Sequence, residues 1–109
     1  MKKKDLQRWL RSYRGRDLDL SAHVVRDKIK LGVVKEKDIR DNLENPDALV
    51  RFVEQGADNP NTSVYKVHFR LSSNKTLGVV IKLNETIKVI TAWEVYEPWQ
   101  RKVNRKWKK

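Results

Sequence analysis

The sequence contains no cysteine among its 109 residues, which excludes a disulfide framework and a metal site built from thiolates. Its four glycines match neither a GxGxxG fingerprint nor a P-loop, so a glycine-rich phosphate loop is also excluded. No apolar run approaches the ~20 residues that a membrane-spanning helix needs. The basic first residues are not followed by an apolar segment, so no signal peptide is expected. These absences predict a cytoplasmic protein without a membrane partner.

Several catalytic chemistries lack the residues that they require. The two histidines, His23 and His68, have no carboxylate at metal-ligand spacing, so neither a metal nor another cofactor is predicted. No serine has the strand–turn–helix context of a serine hydrolase. Paired carboxylates of the kind that glycosidases use cannot be identified. Phosphodiester chemistry without a metal ion is the class that stays open.

The net charge of +11 is concentrated at the two ends of the chain. Residues 1–16 carry +6 and residues 97–109 carry +5, while the residues between them sum to zero. Clustered Lys and Arg at high pI predict a polyanionic partner, and nucleic acid is the commonest polyanion. The alternative is that the lysine-rich ends only keep a small protein soluble.

The first half of the chain has helical patterns. Over residues 2–14, an apolar stripe consists of Leu6, Trp9, Leu10 and Tyr13, and a separate basic stripe consists of Arg8, Arg11 and Arg14. Ser21 can cap a second helix that runs to Leu31 and ends at Gly32. His23, in the first turn of that helix, is expected to cap or pack, with a catalytic role as the alternative. Residues 35–44 predict a third helix.

The second half has the period of β-strands. Residues 64–71 alternate between apolar side chains and the positive or titratable Lys66, His68 and Arg70. Two more strands, over 76–83 and 86–95, follow after short connections and are therefore antiparallel neighbours. Residues 16–20 can form an edge strand or an extended entry. Residues 47–55 can form a helix or a strand, and their β-branched content favours the strand.

These patterns predict an α+β fold of a single core. N-terminal helices would pack on one face of a three- to four-stranded antiparallel sheet, followed by a short basic C-terminal helix or tail. The predicted division is a basic amphipathic helix at 1–16, one α+β domain at 17–100 and a basic tail at 101–109.

The cationic side of strand 64–71 is the candidate site. Metal-free cleavage of RNA through its 2′-hydroxyl needs a base, an acid and cations that stabilise the phosphorane. His68 is the acid/base candidate because an unperturbed imidazole has a pKa near neutrality. Lys66 and Arg70 would bind the phosphate, and Tyr96 could donate a second proton. The alternative for His68 is an ordinary position on a solvated strand face.

Other basic residues would extend the contact with nucleic acid. They are Lys82 and Lys88, provided that they share the face of His68, together with Arg8, Arg11, Arg101, Lys102 and Arg105. Trp93 and Tyr96 are interpreted as core and rim aromatics, with base stacking as the alternative.

The run Tyr65-Lys66-Val67-His68-Phe69-Arg70, followed by two β segments and Val89-Ile90-Thr91-Ala92-Trp93, resembles the sheet of RelE-type ribonuclease toxins. These toxins belong to the barnase/EndoU/colicin/RelE group, and the resemblance covers roughly residues 18 to 100. In that family, basic residues on the first of these strands and a C-terminal arginine and tyrosine line the RNA site. Lys66, His68 and Arg70 match the first set and Tyr96 matches the tyrosine, whereas Trp93 or Glu94 stands where the arginine is expected.

The resulting prediction is an RNA-directed protein of RelE-like architecture, with metal-independent endoribonuclease activity as its catalytic form. RNA is favoured over DNA, and the resemblance implies a protein partner such as an antitoxin. Two alternatives stay open. One is a non-catalytic nucleic-acid-binding module, and the other is a protein-interaction domain that docks through the stripe of Leu6, Trp9 and Tyr13.

Overall fold

A computed structural model describes residues 2–13, 18–55, 62–84 and 86–96. Two α-helices, α1 (Lys3–Tyr13) and α2 (Glu36–Glu44), and a π-helical segment (Val24–Ile29) accompany five strands. The strands are β1 (Leu18–Leu20), β2 (Leu49–Gln55), β3 (Ser63–Ser72), β4 (Lys75–Leu83) and β5 (Ile87–Tyr96). A short 3-10 turn, Pro46–Ala48, leads into β2. None of the helices in these ranges is long and apolar enough to cross a membrane.

The strands form one mixed sheet in the order β1-β5-β4-β3-β2. Strands β2 to β5 are antiparallel neighbours, as their short connections require. Strand β1 pairs in parallel with β5, with Leu20 opposite Val89. The α+β class is therefore confirmed, but the prediction of three to four antiparallel strands is wrong, because the sheet has five strands and β1 adds a parallel edge.

One face of the sheet and the two α-helices enclose the core. Along β3 the alternation predicted from the sequence places Tyr65, Val67 and Phe69 in that core. Helix α1 contributes the fully buried Leu6 and Leu10, and α2 contributes the buried side chains one turn apart at Ile39 and Leu43. The apolar stripe of α1 thus lies inside the same core as the sheet. A helix of 11 residues would be marginal alone, so this packing stabilises it.

Strand β5 also holds the segment that follows β1. The Ser21 N–H donates to the carbonyl of Val89, and the Ser21 hydroxyl donates to the carbonyl of Ile90. The same hydroxyl accepts a hydrogen bond of 3.2 Å from the Val24 N–H, which is the capping interaction predicted for Ser21. The start of the π-helical segment is consequently fixed against the sheet edge.

The boundaries predicted from local signals agree with the structure at several points. Residues 49–55 form the strand that β-branched content favoured, and α2 begins one residue after the predicted start. The helix predicted to run to Leu31 is instead a π-helical segment that ends at Ile29, and Gly32 has a φ of 76° in the turn that follows it. The predicted basic C-terminal helix or tail lies outside the described residues.

We expect Gly32→Ala to lower the free energy of unfolding by about 1 kcal/mol, because a Cβ is disfavoured in left-handed backbone. A Cβ at this position would meet no atom within 4 Å, so the loss would arise from the backbone alone. Urea denaturation measures it. Gly32→Asn should cost less, since asparagine tolerates this conformation, and an equal loss for both variants would contradict the explanation.

Candidate nucleic-acid interface

The sheet face opposite the two α-helices carries most of the predicted site, and we term it the open face. Register places Arg51, His68, Gly78 and Trp93 in one cross-strand row. The adjacent row contains Val53, Lys66, Val80 and Thr91. Successive rows lie roughly 6.5–7 Å apart along the strands.

Trp93 lies directly on the backbone of Gly78 in the neighbouring strand. A Cβ on Gly78 would come within 2.6 Å of Trp93 Nε1 and still closer to Cε2. Only a glycine leaves room for the indole at this position. The Trp93 ring from β5 therefore fills the space that a side chain at position 78 of β4 would occupy, and this ring forms the centre of the open face.

Lys66 and His68 from β3 complete the surroundings of the indole. The Lys66 ammonium lies 5.3 Å from the centroid of the Trp93 ring, within the range of a cation–π interaction. The His68 and Trp93 ring centroids are 5.9 Å apart with an interplanar angle of 79°, which is an edge-to-face contact. A basic group and an imidazole are thus both held against one aromatic surface.

His68 is buried rather than solvated, although it lies on the open face as its position in β3 predicted. It is 7% exposed, and its Nδ1 atom has no hydrogen-bond partner among the described residues. Burial lowers the pKa of His68 below its ordinary value, with further lowering by the positive charges of Arg51 and Lys66. The imidazole is therefore neutral at physiological pH, and the alternation of β3 could not reveal this because Trp93 comes from another strand.

Cations surround this aromatic centre on the open face. Lys82 and Lys88 are directly opposite each other in β4 and β5, both are exposed, and they share the face of Lys66. Like charges at a cross-strand pair repel one another. Asp19 is the parallel-strand neighbour of Lys88. Within the described part of the face, positive groups therefore outnumber carboxylates, and an anion bound between the two lysines would relieve their repulsion.

The structure does not bring all the predicted site residues together. Tyr96 pairs with Lys75 at the end of β5, and its position in the alternation assigns it to the helix side of the sheet, away from His68. Arg70 is exposed on the open face, two residues from His68. Arg8 and Arg11 are exposed on α1, in the helix layer, and Arg11 forms an ion pair with Asp47. Arg101, Lys102 and Arg105 lie outside the described residues.

The apolar stripe proposed for docking to a partner is used within the domain. Leu6 is fully buried, and Tyr13 donates a hydrogen bond of 2.6 Å to the carbonyl of Asn84. Trp9 packs edge-on against Tyr65 at 6.4 Å and donates its indole N–H to the Tyr13 hydroxyl. The stripe is therefore not a free docking surface.

Three features of this face were not identified as site residues from the sequence. Arg51 joins the His68 row through the register in which β2 pairs with β3, and the sequence pattern of each strand does not specify that register. Gly78 interrupts the apolar run from Leu77 to Ile81, and an isolated glycine in a strand is a signal of close approach by another group. His23 and Asp27 are four residues apart, which is the spacing of a side-chain pair on one helical face, and this pairing was not predicted.

We expect Gly78→Ala to lower the free energy of unfolding by about 1–3 kcal/mol through overpacking against Trp93. In a Trp93→Ala background, the same change should be neutral or stabilising, because glycine in a strand interior is less stable than alanine by roughly 0.5–1 kcal/mol. A double-mutant cycle by urea denaturation measures the difference. Equal effects in the two backgrounds would show that the indole does not rest on Gly78.

The lowered pKa of His68 predicts a loss of stability in mild acid. Below the unfolded-state pKa of about 6.5, the unfolded chain takes up a proton before the folded protein does, so stability falls with decreasing pH. Between about pH 7.5 and pH 5, the free energy of unfolding of the wild type should fall more than that of His68→Gln. Equal falls for the two proteins, which share every other titratable group, would exclude this linkage.

The chain matches no protein-family model, no curated protein and no solved structure. The function is therefore inferred from the residues and geometry of the open face.

Proposed function

We propose that this protein is RNA-directed and binds single-stranded RNA across the open face. One observation carries the proposal, namely the Trp93 indole held on Gly78 between Lys66 and His68. Proteins that bind single strands combine an aromatic platform for bases with cations that follow the backbone. The open face has both components within two adjacent cross-strand rows.

The arrangement of the cations supports a strand rather than a single phosphate group. Arg51 lies in the row of Trp93, Lys66 in the next row, and the pair of Lys82 and Lys88 in the row beyond. These rows extend over about 13 Å along the strand direction. A polyanion can therefore contact several cations in succession while a base stacks near the indole.

The prediction of endoribonuclease activity receives less support, because His68 and Tyr96 are poorly placed for catalysis. His68 is nearly inaccessible and neutral, and Tyr96 is assigned to the other side of the sheet. Packing against Trp93 is the role that the position of His68 supports. Metal-independent cleavage of RNA stays a prediction, as do the RelE-like relationship, the antitoxin-like partner and the cytoplasmic location.

The experiment measures the affinity of the protein for a labelled single-stranded RNA by fluorescence anisotropy at several salt concentrations. We expect Trp93→Ala to weaken binding about 5- to 150-fold, equivalent to ~1–3 kcal/mol for one stacked base. The double variant Lys82→Gln/Lys88→Gln should reduce the salt slope by about 0.7 for each phosphate that the protein no longer neutralises.

The matched control is Lys3→Gln/Lys4→Gln, which removes the same charge from exposed positions of α1 in the helix layer. If this control weakened binding as much as the open-face pair, net charge alone would explain the affinity. If Trp93→Ala folded normally and bound RNA like the wild type, the open face would not be the RNA site.

A further inference from the structure

A second histidine lies at the border of the open face, in contact with a carboxylate and a hydroxyl group. His23 Nδ1 is 2.9 Å from Asp27 Oδ2, and His23 Nε2 is 3.4 Å from Thr91 Oγ1. The two nitrogens of one imidazole are thus occupied by an acid on one side and an alcohol on the other. In triad-type sites a carboxylate on one imidazole nitrogen orients the ring, and the other nitrogen takes a proton from a hydroxyl group.

The local fold holds this group in place from three directions. The hydrogen bonds of Ser21 to Val89 and Ile90 fix the residues before His23 to β5. Val24, the residue that follows His23, is fully buried in the core and anchors this part of the segment. Asp27 follows one helical turn later, and the hydrogen bond that it accepts from Arg26 holds the pKa of its carboxyl below the ordinary value. Asp27 is consequently ionised at neutral pH and can accept the Nδ1–H of His23.

The position of Thr91 connects this group to the proposed RNA surface. Thr91 is two residues from Trp93 on the same strand and lies in the cross-strand row of Lys66. Two strand spacings of about 4.8 Å separate the Cα atoms of Thr91 and Lys66. Trp93, Thr91 and Lys66 therefore border one part of the open face, and His23 contacts that part through Thr91.

We propose that His23 is the general base of a metal-independent endoribonuclease, with Asp27 and Thr91 as positioning residues. The inference rests on the proposed function, because the substrate is the single-stranded RNA bound by the open face. His23, with a side chain that is 50% exposed, can reach a ribose, whereas His68 cannot. Asp27 holds the tautomer in which Nε2 is the proton acceptor. The Thr91 hydroxyl lies 3.4 Å from that nitrogen, and the ribose 2′-hydroxyl takes its place there when RNA binds.

The reaction is an internal transphosphorylation. His23 Nε2 takes the proton from the ribose 2′-hydroxyl, and the 2′-oxygen attacks the adjacent phosphorus. The bond between phosphorus and the 5′-oxygen breaks, and the leaving 5′-oxygen takes a proton from a water molecule. The hydroxide so formed takes the proton back from His23, and the products are a 2′,3′-cyclic phosphate and a free 5′-hydroxyl. Lys66 lies where its ammonium can stabilise negative charge on the phosphate oxygens. The reaction as written requires no oxidant, reductant or metal ion.

The test uses the full chain, a labelled single-stranded RNA of mixed sequence and EDTA, with binding and cleavage measured on the same samples. We expect the wild type to produce ends with 2′,3′-cyclic phosphate and to bind but not cleave the all-deoxy strand. His23→Gln should lower the cleavage rate by about 10²-fold or more while leaving RNA affinity within about twofold of the wild type. Preparation of this variant in parallel also controls for contaminating nuclease.

The positioning residues have a separate readout. Asp27→Asn should lower kcat with little change in KM, because it disturbs the tautomer of His23 and not the binding surface. Thr91→Val should also lower kcat, and Thr91→Ser, which keeps the hydroxyl, should restore it.

The different failures can be told apart. RNA binding without cleavage by the wild type, or full cleavage by a folded His23→Gln, overturns the inference and leaves RNA binding intact. Absence of both binding and cleavage overturns the proposed function and the inference together. If His68→Gln abolished cleavage and His23→Gln retained it, the general base would be His68 in β3, and the inference about His23 would be wrong.

Discussion

The open face depends on the contact between Trp93 and Gly78. An indole on a sheet normally stands between the side chains of the neighbouring strand, but here that strand supplies no side chain and the ring rests on its backbone. This close approach sets the positions of the groups around the ring. His68 is buried against one edge, and the Lys66 ammonium lies within cation–π distance. The chemistry available at the face follows from this packing more than from the charge of any one residue.

The distribution of charge on the two sides of the sheet has a related consequence. In the helix layer, basic residues meet carboxylates, as in the pairs of Arg11 with Asp47 and Arg40 with Glu36. On the described open face, Lys82 and Lys88 instead face each other. Such exposed like charges cost stability in the free protein. Asp19 is the neighbour of Lys88 on its other side, and the neutral His68 adds no further charge among these cations.

Much of the fold follows from local patterns in the sequence. The alternation in residues 64–71 and the capping position of Ser21 each act over a few residues, and both appear in the structure as predicted. The parallel pairing of β1 with β5 did not follow, because it joins segments about seventy residues apart and depends on no local signal. A three-residue strand has too short a pattern to specify its neighbour.

The same division applies to the candidate site. The sequence by itself determined that β3 has an apolar and a basic side, because side-chain direction alternates along any strand. Only the tertiary structure decided that Trp93 would bury His68, that Tyr96 would be assigned to the helix side, and that His23 would meet Thr91, 68 positions further along the chain. Accessibility and the proximity of groups from different elements are properties of strand order and register, and these are set by the packing of the whole core.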